Sequence, residues 1–133
     1  MLFKKPFRFK NYGNIKKYSK LVYGYHGLQV LEDFYLKKEH IISATKVIKS
    51  TLRKKNILSL RIFFNKIYTK KPTDVRMGRG KGNMIYKICI MKKGSILFEL
   101  KSLSQYKNIK ALKKAALKIP VKTHIITNTL QIW

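Results

Sequence analysis

Met84-Ile85-Tyr86-Lys87-Ile88-Cys89-Ile90-Met91-Lys92-Lys93-Gly94-Ser95-Ile96-Leu97-Phe98-Glu99-Leu100 reads as two strands joined by a turn. Residues 84–91 are rich in β-formers, and Ile96, Phe98 and Leu100 share one face at two-residue spacing. Lys92-Lys93-Gly94 supplies the glycine a tight connection needs, so the expectation is a β-hairpin. On the C-terminal side, Ser104 can cap a helix predicted over 105–118. Its apolar stripe is Ile109, Leu112, Ala115, Ala116 and Ile119, and Lys107, Lys110, Lys114 and Lys118 lie on the outer face. Pro120 ends that helix by forcing the preceding residue out of helical geometry. A last strand is predicted over 121–127.

On the N-terminal side, residues 23–31 read as a strand bent by Gly24 and Gly27, and residues 38–54 as a helix. At 100° per residue, Ile41, Ala44, Val47, Ile48, Thr51 and Leu52 gather on one helix face, and Lys46, Lys49 and Arg53 on another. Residues 58–63 alternate as a strand with Leu58, Leu60 and Ile62 on one side. The expected order is β, α, β, loop, β, β, α, β. That is an α+β two-layer sandwich, two helices on a mostly antiparallel sheet. Neither a fixed-period repeat nor a Ser/Pro/Gly linker divides the chain. Residues 1–21 are expected to form a basic arm, and residues 22–133 one domain with a long loop at 64–83.

Charge narrows the function. The 133 residues carry 31 Lys and Arg against 5 Asp and Glu, a formal net charge of +26. A compact domain this cationic repels itself, and a bound polyanion relieves the repulsion. RNA, DNA and anionic lipid are the candidates. Lipid is disfavoured, because no stretch approaches the roughly 20 apolar residues needed to span a bilayer, and both apolar helix faces are better used as core. Cys89, the single cysteine, sits in an apolar run and reads as a small core residue in a reducing compartment. Lysines outnumber arginines 26 to 5, although arginine binds phosphate better. AT-rich coding explains that bias and suggests an organelle genome.

Residues 64–83 carry the functional signal. Loops longer than ~12 to 15 residues within a domain are usually functional or disordered. This one holds Lys66, Lys70, Lys71, Arg76, Arg79 and Lys81, and ends in Arg76-Met77-Gly78-Arg79-Gly80-Lys81-Gly82-Asn83. Glycine admits positive φ and close backbone approach, consecutive amides can form an anion nest, and the interleaved cations can reach phosphates. A P-loop is excluded, since Lys81 is followed by Gly82 and then a strand. The dinucleotide fingerprint is excluded by the two-residue glycine spacing. A merely flexible loop would explain the glycines but not six cations.

This segment, with Lys71-Pro72 and Val75 before it, resembles the signature of the bacterial-type L-sixteen family of large-subunit ribosomal proteins. Tyr23-Gly24-Tyr25-His26-Gly27-Leu28-Gln29-Val30-Leu31-Glu32, Arg61-Ile62-Phe63 and Lys118-Ile119-Pro120-Val121-Lys122-Thr123 are similar to the family in order and spacing. The resemblance covers roughly Tyr23 to Thr129. It departs at Leu36-Lys37-Lys38-Glu39-His40, where the family usually has a Thr and a basic-Gln pair. It implies an α/β-hammerhead-like fold and a structural role in the large ribosomal subunit. It also implies binding to large-subunit rRNA near the central protuberance, and a loop (Arg76, Met77, Gly78, Arg79, Gly80, Lys81, Gly82) that helps shape the aminoacyl-tRNA site and the peptidyl-transferase surroundings. The expected partners are large-subunit rRNA, A-site tRNA and neighbouring ribosomal proteins, without membrane binding or self-association. With the AT-rich coding bias, the expected location is the mitochondrial matrix, ribosome-bound, with a plastid or an AT-rich bacterial cytoplasm as the alternative.

Residues expected to contact rRNA beyond the loop are Lys4, Lys5, Arg8, Lys10, Lys16, Lys17, Lys46, Lys49 and Arg53, through counterion release. Tyr12, Tyr18, Tyr68 and Phe64 can stack on unpaired bases, although such aromatics more often pack, as expected of Phe64. A free-standing RNA-binding or RNA-processing protein is the alternative. No catalysis, metal or cofactor is expected: Glu32, Asp33, Glu39, Asp74 and Glu99 are scattered, and His26, His40 and His124 lack ligand spacing.

Overall fold

A computed structural model describes residues 19–52, 57–78, 80–102 and 104–128. The elements are β1 (His26–Val30), β2 (Phe34–Lys37), α1 (Lys38–Leu52), β3 (Ile57–Leu60), β4 (Lys66–Lys70), β5 (Asn83–Met91), β6 (Ile96–Lys101), α2 (Gln105–Ala116) and β7 (Thr123–Thr127). They form two antiparallel sheets, ordered β3-β6-β1-β7 and β2-β5-β4. Two helices and antiparallel sheets make the α+β sandwich expected, but with two sheets where one was read.

The hairpin expected over 84–100 does not form. Both strands exist, yet β5 pairs with β2 and β4, while β6 pairs with β1 and β3. At Lys92–Ser95 the chain turns from one sheet into the other: Ser95 N–H donates to the Lys92 carbonyl at 3.0 Å, and Gly94 N–H to the Val30 carbonyl at 2.7 Å. The reason is burial. Residues 96–100 are all buried, so β6 is a central strand that needs a neighbour on each edge and cover on each face. Register also differs from simple alternation. Leu28 pairs Phe98 but Gln29 pairs Ile96, leaving Leu97 as a bulge. Leu97, Phe98 and Leu100 therefore join the core, while Ile96 passes to the other face beside Gly27.

Two strands were missed. Phe34–Lys37 runs straight into α1, burying Leu36 in the core. Lys66–Lys70 lies inside the expected 64–83 loop, and is a strand because Ile67 is buried and Tyr68 pairs across to Tyr86. The true loop is residues 71–82. Glu32 and Asp33 fall in the connection between β1 and β2. There the Asp33 carboxylate accepts the Lys93 N–H at 2.7 Å.

Helix α1 buries Ile41, Ala44, Ile48 and Leu52, as its pattern predicts, with Val47 and Thr51 half-buried. Helix α2 is rotated from the expected stripe: Asn108, Ala111, Leu112 and Ala115 are buried, and Ile109 and Ala116 only partly. Asn108 explains the rotation. Its amide donates to His26 Nδ1 and to the Ser102 carbonyl, each at 3.1 Å, drawing that face toward β1. Ser104 stands at the N-cap but makes no side-chain cap bond. The helix closes at Ala116, two residues early, with three-residue bonds to Ala115 and Ala116 from Lys118 and Ile119. Leu28, Leu36, Phe98, Leu100 and Leu112 are fully enclosed in one core, and burying each stabilises the fold by about 1.5–3 kcal/mol. Cys89 is in that core, its Sγ 3.6 Å from Met91 Sδ. Burial pushes its thiol pKa up, outweighing a Phe63 backbone contact that pulls it down.

Candidate nucleic-acid interface

The small sheet holds out a finger. β4 and β5 pair from Lys66↔Ile88 to Lys70↔Asn83, with Ile85 bulged between Tyr86 and Met84. Residues 71–82 close over this base. A turn opens the finger, Val75 N–H reaching the Pro72 carbonyl at 3.4 Å. The Lys71 ammonium donates across it to the Gly78 carbonyl, so Lys71 braces the loop from within. Gly82 backs onto the other side: a Cβ there would lie 2.4 Å from the Lys70 carbonyl carbon and oxygen. Gly78 and Gly80 have φ of 106° and 83° with open space around them, a backbone region side chains rarely adopt. The alternating glycines thus serve two ends, curvature at 78 and 80 and close strand contact at 82.

Arg76, Lys81 and Met77 are exposed on this finger, as is Asp74, and Met77 is wholly solvated. A fully exposed thioether and two cations at a loop tip have no part in the protein's own core. Lys70 is exposed and Lys66 half-buried on β4. The amide alternation that a nest needs runs through Arg79, which lies outside the described residues, as do Lys4, Lys5, Arg8, Lys10, Lys16, Lys17, Arg53, Tyr12 and Tyr18. Lys46 and Lys49 are exposed on α1, on a different element from the finger and off the buried stripe. Lys107, Lys110, Lys114 and Lys118 are exposed on or just beyond α2, joined by Lys113. Phe64 packs against the core.

Two arrangements were not foreseen. First, Tyr68 and Tyr86 stack with ring centroids 4.7 Å apart and planes 7° from parallel. Lys37 Nζ lies 4.6 Å from the Tyr86 centroid. Second, Glu99 is fully buried. Its Oε2 accepts the backbone N–H groups of Val22, Tyr23 and Gly24 at 3.0, 2.6 and 3.0 Å. Its Oε1 accepts from the Arg61 guanidinium, which also lies 5.6 Å from the Tyr23 ring. Burial pushes the Glu99 carboxyl pKa up, but the Tyr23 and Val22 amides and Arg61 outweigh it and hold it below the ordinary carboxylate range. This latch fixes residues 22–24, just ahead of β1. A lone acid inside the apolar run 96–100 was the available signal. His26 is also buried, which lowers its pKa and suits Nδ1 as the acceptor from Asn108.

A strongly cationic α+β domain that projects a glycine-jointed finger from the end of a small sheet has the make-up of a polyanion binder. The family model for ribosomal protein L16p/L10e matches residues 2–126. The chain is 34% identical over 125 residues to the large ribosomal subunit protein uL16 of Fervidobacterium nodosum, covering 94% of this chain and 88% of that protein. It is 36% identical over 127 residues to uL16m of Acanthamoeba castellanii, covering 95% and 90%, and 35% identical over 125 residues to uL16c of Guillardia theta, covering 94% and 93%. This chain belongs to the L16p/L10e family of ribosomal proteins. The match begins at residue 2, so the family pattern takes in the N-terminal basic stretch.

Proposed function

We propose that this chain is a structural constituent of the large ribosomal subunit, bound to large-subunit rRNA near the central protuberance, with a binding role rather than a catalytic one. The single observation that carries the reading is the exposed finger 71–82, with Arg76, Met77 and Lys81 directed to solvent in a chain of net charge +26. Its relatives are named as large ribosomal subunit proteins.

In this reading Lys66, Lys70, Arg76, Arg79 and Lys81 meet phosphates, Lys71 braces the finger, and Gly78, Gly80 and Gly82 let its backbone approach RNA. The finger helps shape the aminoacyl-tRNA site and the peptidyl-transferase surroundings, and A-site tRNA and neighbouring ribosomal proteins are its further partners. Residues 1–21 serve as a basic arm through Lys4, Lys5, Arg8, Lys10, Lys16 and Lys17, and residues 22–133 as one domain. Lys46, Lys49 and Arg53 add contacts from α1. The protein works as a monomer within the particle. No helix among the described residues is long and apolar enough to cross a membrane. The Lys-rich, Arg-poor composition and the uL16m relative support a mitochondrial ribosome, with plastid and bacterial ribosomes as the alternative.

The chain is expected to co-sediment with large subunits. Isolated protein is expected to bind rRNA with log affinity falling steeply against log salt, by about 0.9 per phosphate neutralised. Free monomer with a nearly flat salt response would refute the proposal.

A further inference from the structure

We propose that the outward side of β4, Lys66-Tyr68-Lys70, is a stacking site for one unpaired base of the RNA, with its flanking phosphates on the two lysines. The proposal rests on the RNA-binding reading above and adds to it a chemical class of ligand and a place.

The geometry begins with the Tyr68–Tyr86 pair. Its 4.7 Å separation and 7° tilt match the spacing of adjacent strands. The rings therefore stand on edge from the sheet and stack across it. Tyr86 lies on the central strand of β2-β5-β4, and both its faces are used, one by Tyr68 and the other by Lys37 Nζ at 4.6 Å. Tyr68 lies on the edge strand. One face rests on Tyr86; on the other side β4 pairs with no further strand among the described residues, and the residue is 39% exposed. The column Lys37–Tyr86–Tyr68 is thus a preformed platform that ends in an open aromatic face, and it loses little side-chain freedom on binding.

Charge completes the site. Lys66 and Lys70 stand two residues either side of Tyr68, on the same side of β4, about 7 Å away along the strand. Stacking on an aromatic face between cations is how proteins hold single-stranded nucleic acid. A-form helix keeps its bases closed, so the partner is a nucleotide in a loop or bulge. Cross-strand packing alone accounts for Tyr86 but not for a half-open ring at the edge bracketed by lysines. A protein strand added to the β4 edge is the competing occupant, and the same lysines disfavour it.

The test uses the full-length protein, a single-stranded RNA decamer with one internal 2-aminopurine, and transcribed large-subunit rRNA. Wild-type protein is expected to quench the 2-aminopurine fluorescence. Tyr68→Leu is expected to lose the quench and to bind between about five- and one-hundred-and-fifty-fold more weakly, with the salt slope unchanged. Tyr68→Phe keeps both, and Lys70→Ala lowers the slope by about one phosphate contact. Circular dichroism of Tyr68→Leu checks that the sheet is intact. A folded Tyr68→Leu protein that binds and quenches like wild type overturns the site and leaves the ribosomal reading standing. So does a Tyr68→Leu defect in docking a ribosomal protein without any RNA defect. Failure of wild-type protein to bind rRNA sinks the ribosomal reading itself.

Discussion

Replacing Glu99 by Gln removes a buried charge that gathers three backbone amides and a guanidinium. Hydrogen bonds to a charged group each contribute about 1.5–3 kcal/mol, and desolvating the carboxylate costs several kcal/mol against them. Gln keeps one carbonyl oxygen for the Val22, Tyr23 and Gly24 amides but can turn its NH2 toward Arg61, whose side chain is only 11% exposed. Breaking a buried pair by removing one partner costs about 3–5 kcal/mol, and the retained oxygen puts Glu99→Gln near the lower end. A domain of ordinary stability, about 5–15 kcal/mol, stays folded but weakened. Urea unfolding at neutral pH reads the loss, and native-state hydrogen exchange reads the amides of residues 22–24, which are expected to lose protection. Adding Arg61→Met to Glu99→Gln is expected to recover part of the loss, because the orphaned guanidinium is removed. A loss below about 1 kcal/mol, with exchange at 22–24 unchanged, would refute the idea that Glu99 anchors the root of the N-terminal stretch.

Three further outcomes are expected. Gly82→Ala forces its Cβ against the Lys70 carbonyl, 2.4 Å away, and should cost about 1–3 kcal/mol in urea unfolding, whereas exposed Lys81→Ala should stay within about 0.5 kcal/mol; equal values would contradict the packing argument. His26 and Glu99 both have lowered pKa values in the fold, so the unfolded chain binds more protons. Stability should fall as pH drops below about 6.5 for His26, and again below about 4.3 for Glu99. His26→Gln should flatten the first step, and a wild-type midpoint that rises on acidification would contradict the assignment. Cys89 should react with maleimide slowly in the native protein and fast in urea, since its thiol is buried with a raised pKa; rapid native labelling would show the core is open there.

Much of the candidate interface was legible from residue types. Net charge follows from composition, and the glycine-cation alternation at 76–82 requires an irregular, exposed backbone whatever surrounds it. Gly78 and Gly80 have the positive φ that such spacing suggests. The platform on β4 was harder to read. Tyr68 was one aromatic among several until pairing set it beside Tyr86, and Lys71 looked like another phosphate contact until the finger folded its ammonium onto Gly78. Glu99 looked like a stray acid. Its partners lie 75 to 77 residues away in the chain, with Arg61 38 away, and no local pattern encodes contacts at that separation.

Both helices and the strands around residues 26–30, 84–91 and 96–100 follow from periodicity alone, because one-sided burial imprints a period of 3.6 or 2 on the chain. Periodicity says which face turns inward, not what it meets. Strand β6 is enclosed on both faces, so alternation placed Ile96 with Phe98, and the bulge at Leu97 separated them. Pairing is likewise non-local. Adjacent strands β5 and β6 went to different sheets because hydrogen bonds to β1, β2, β3 and β4 satisfied their edges better than a hairpin between them. Local chemistry chose the elements and the charge; long-range backbone pairing chose their neighbours, and with them the place of the finger, the tyrosine column and the buried acid.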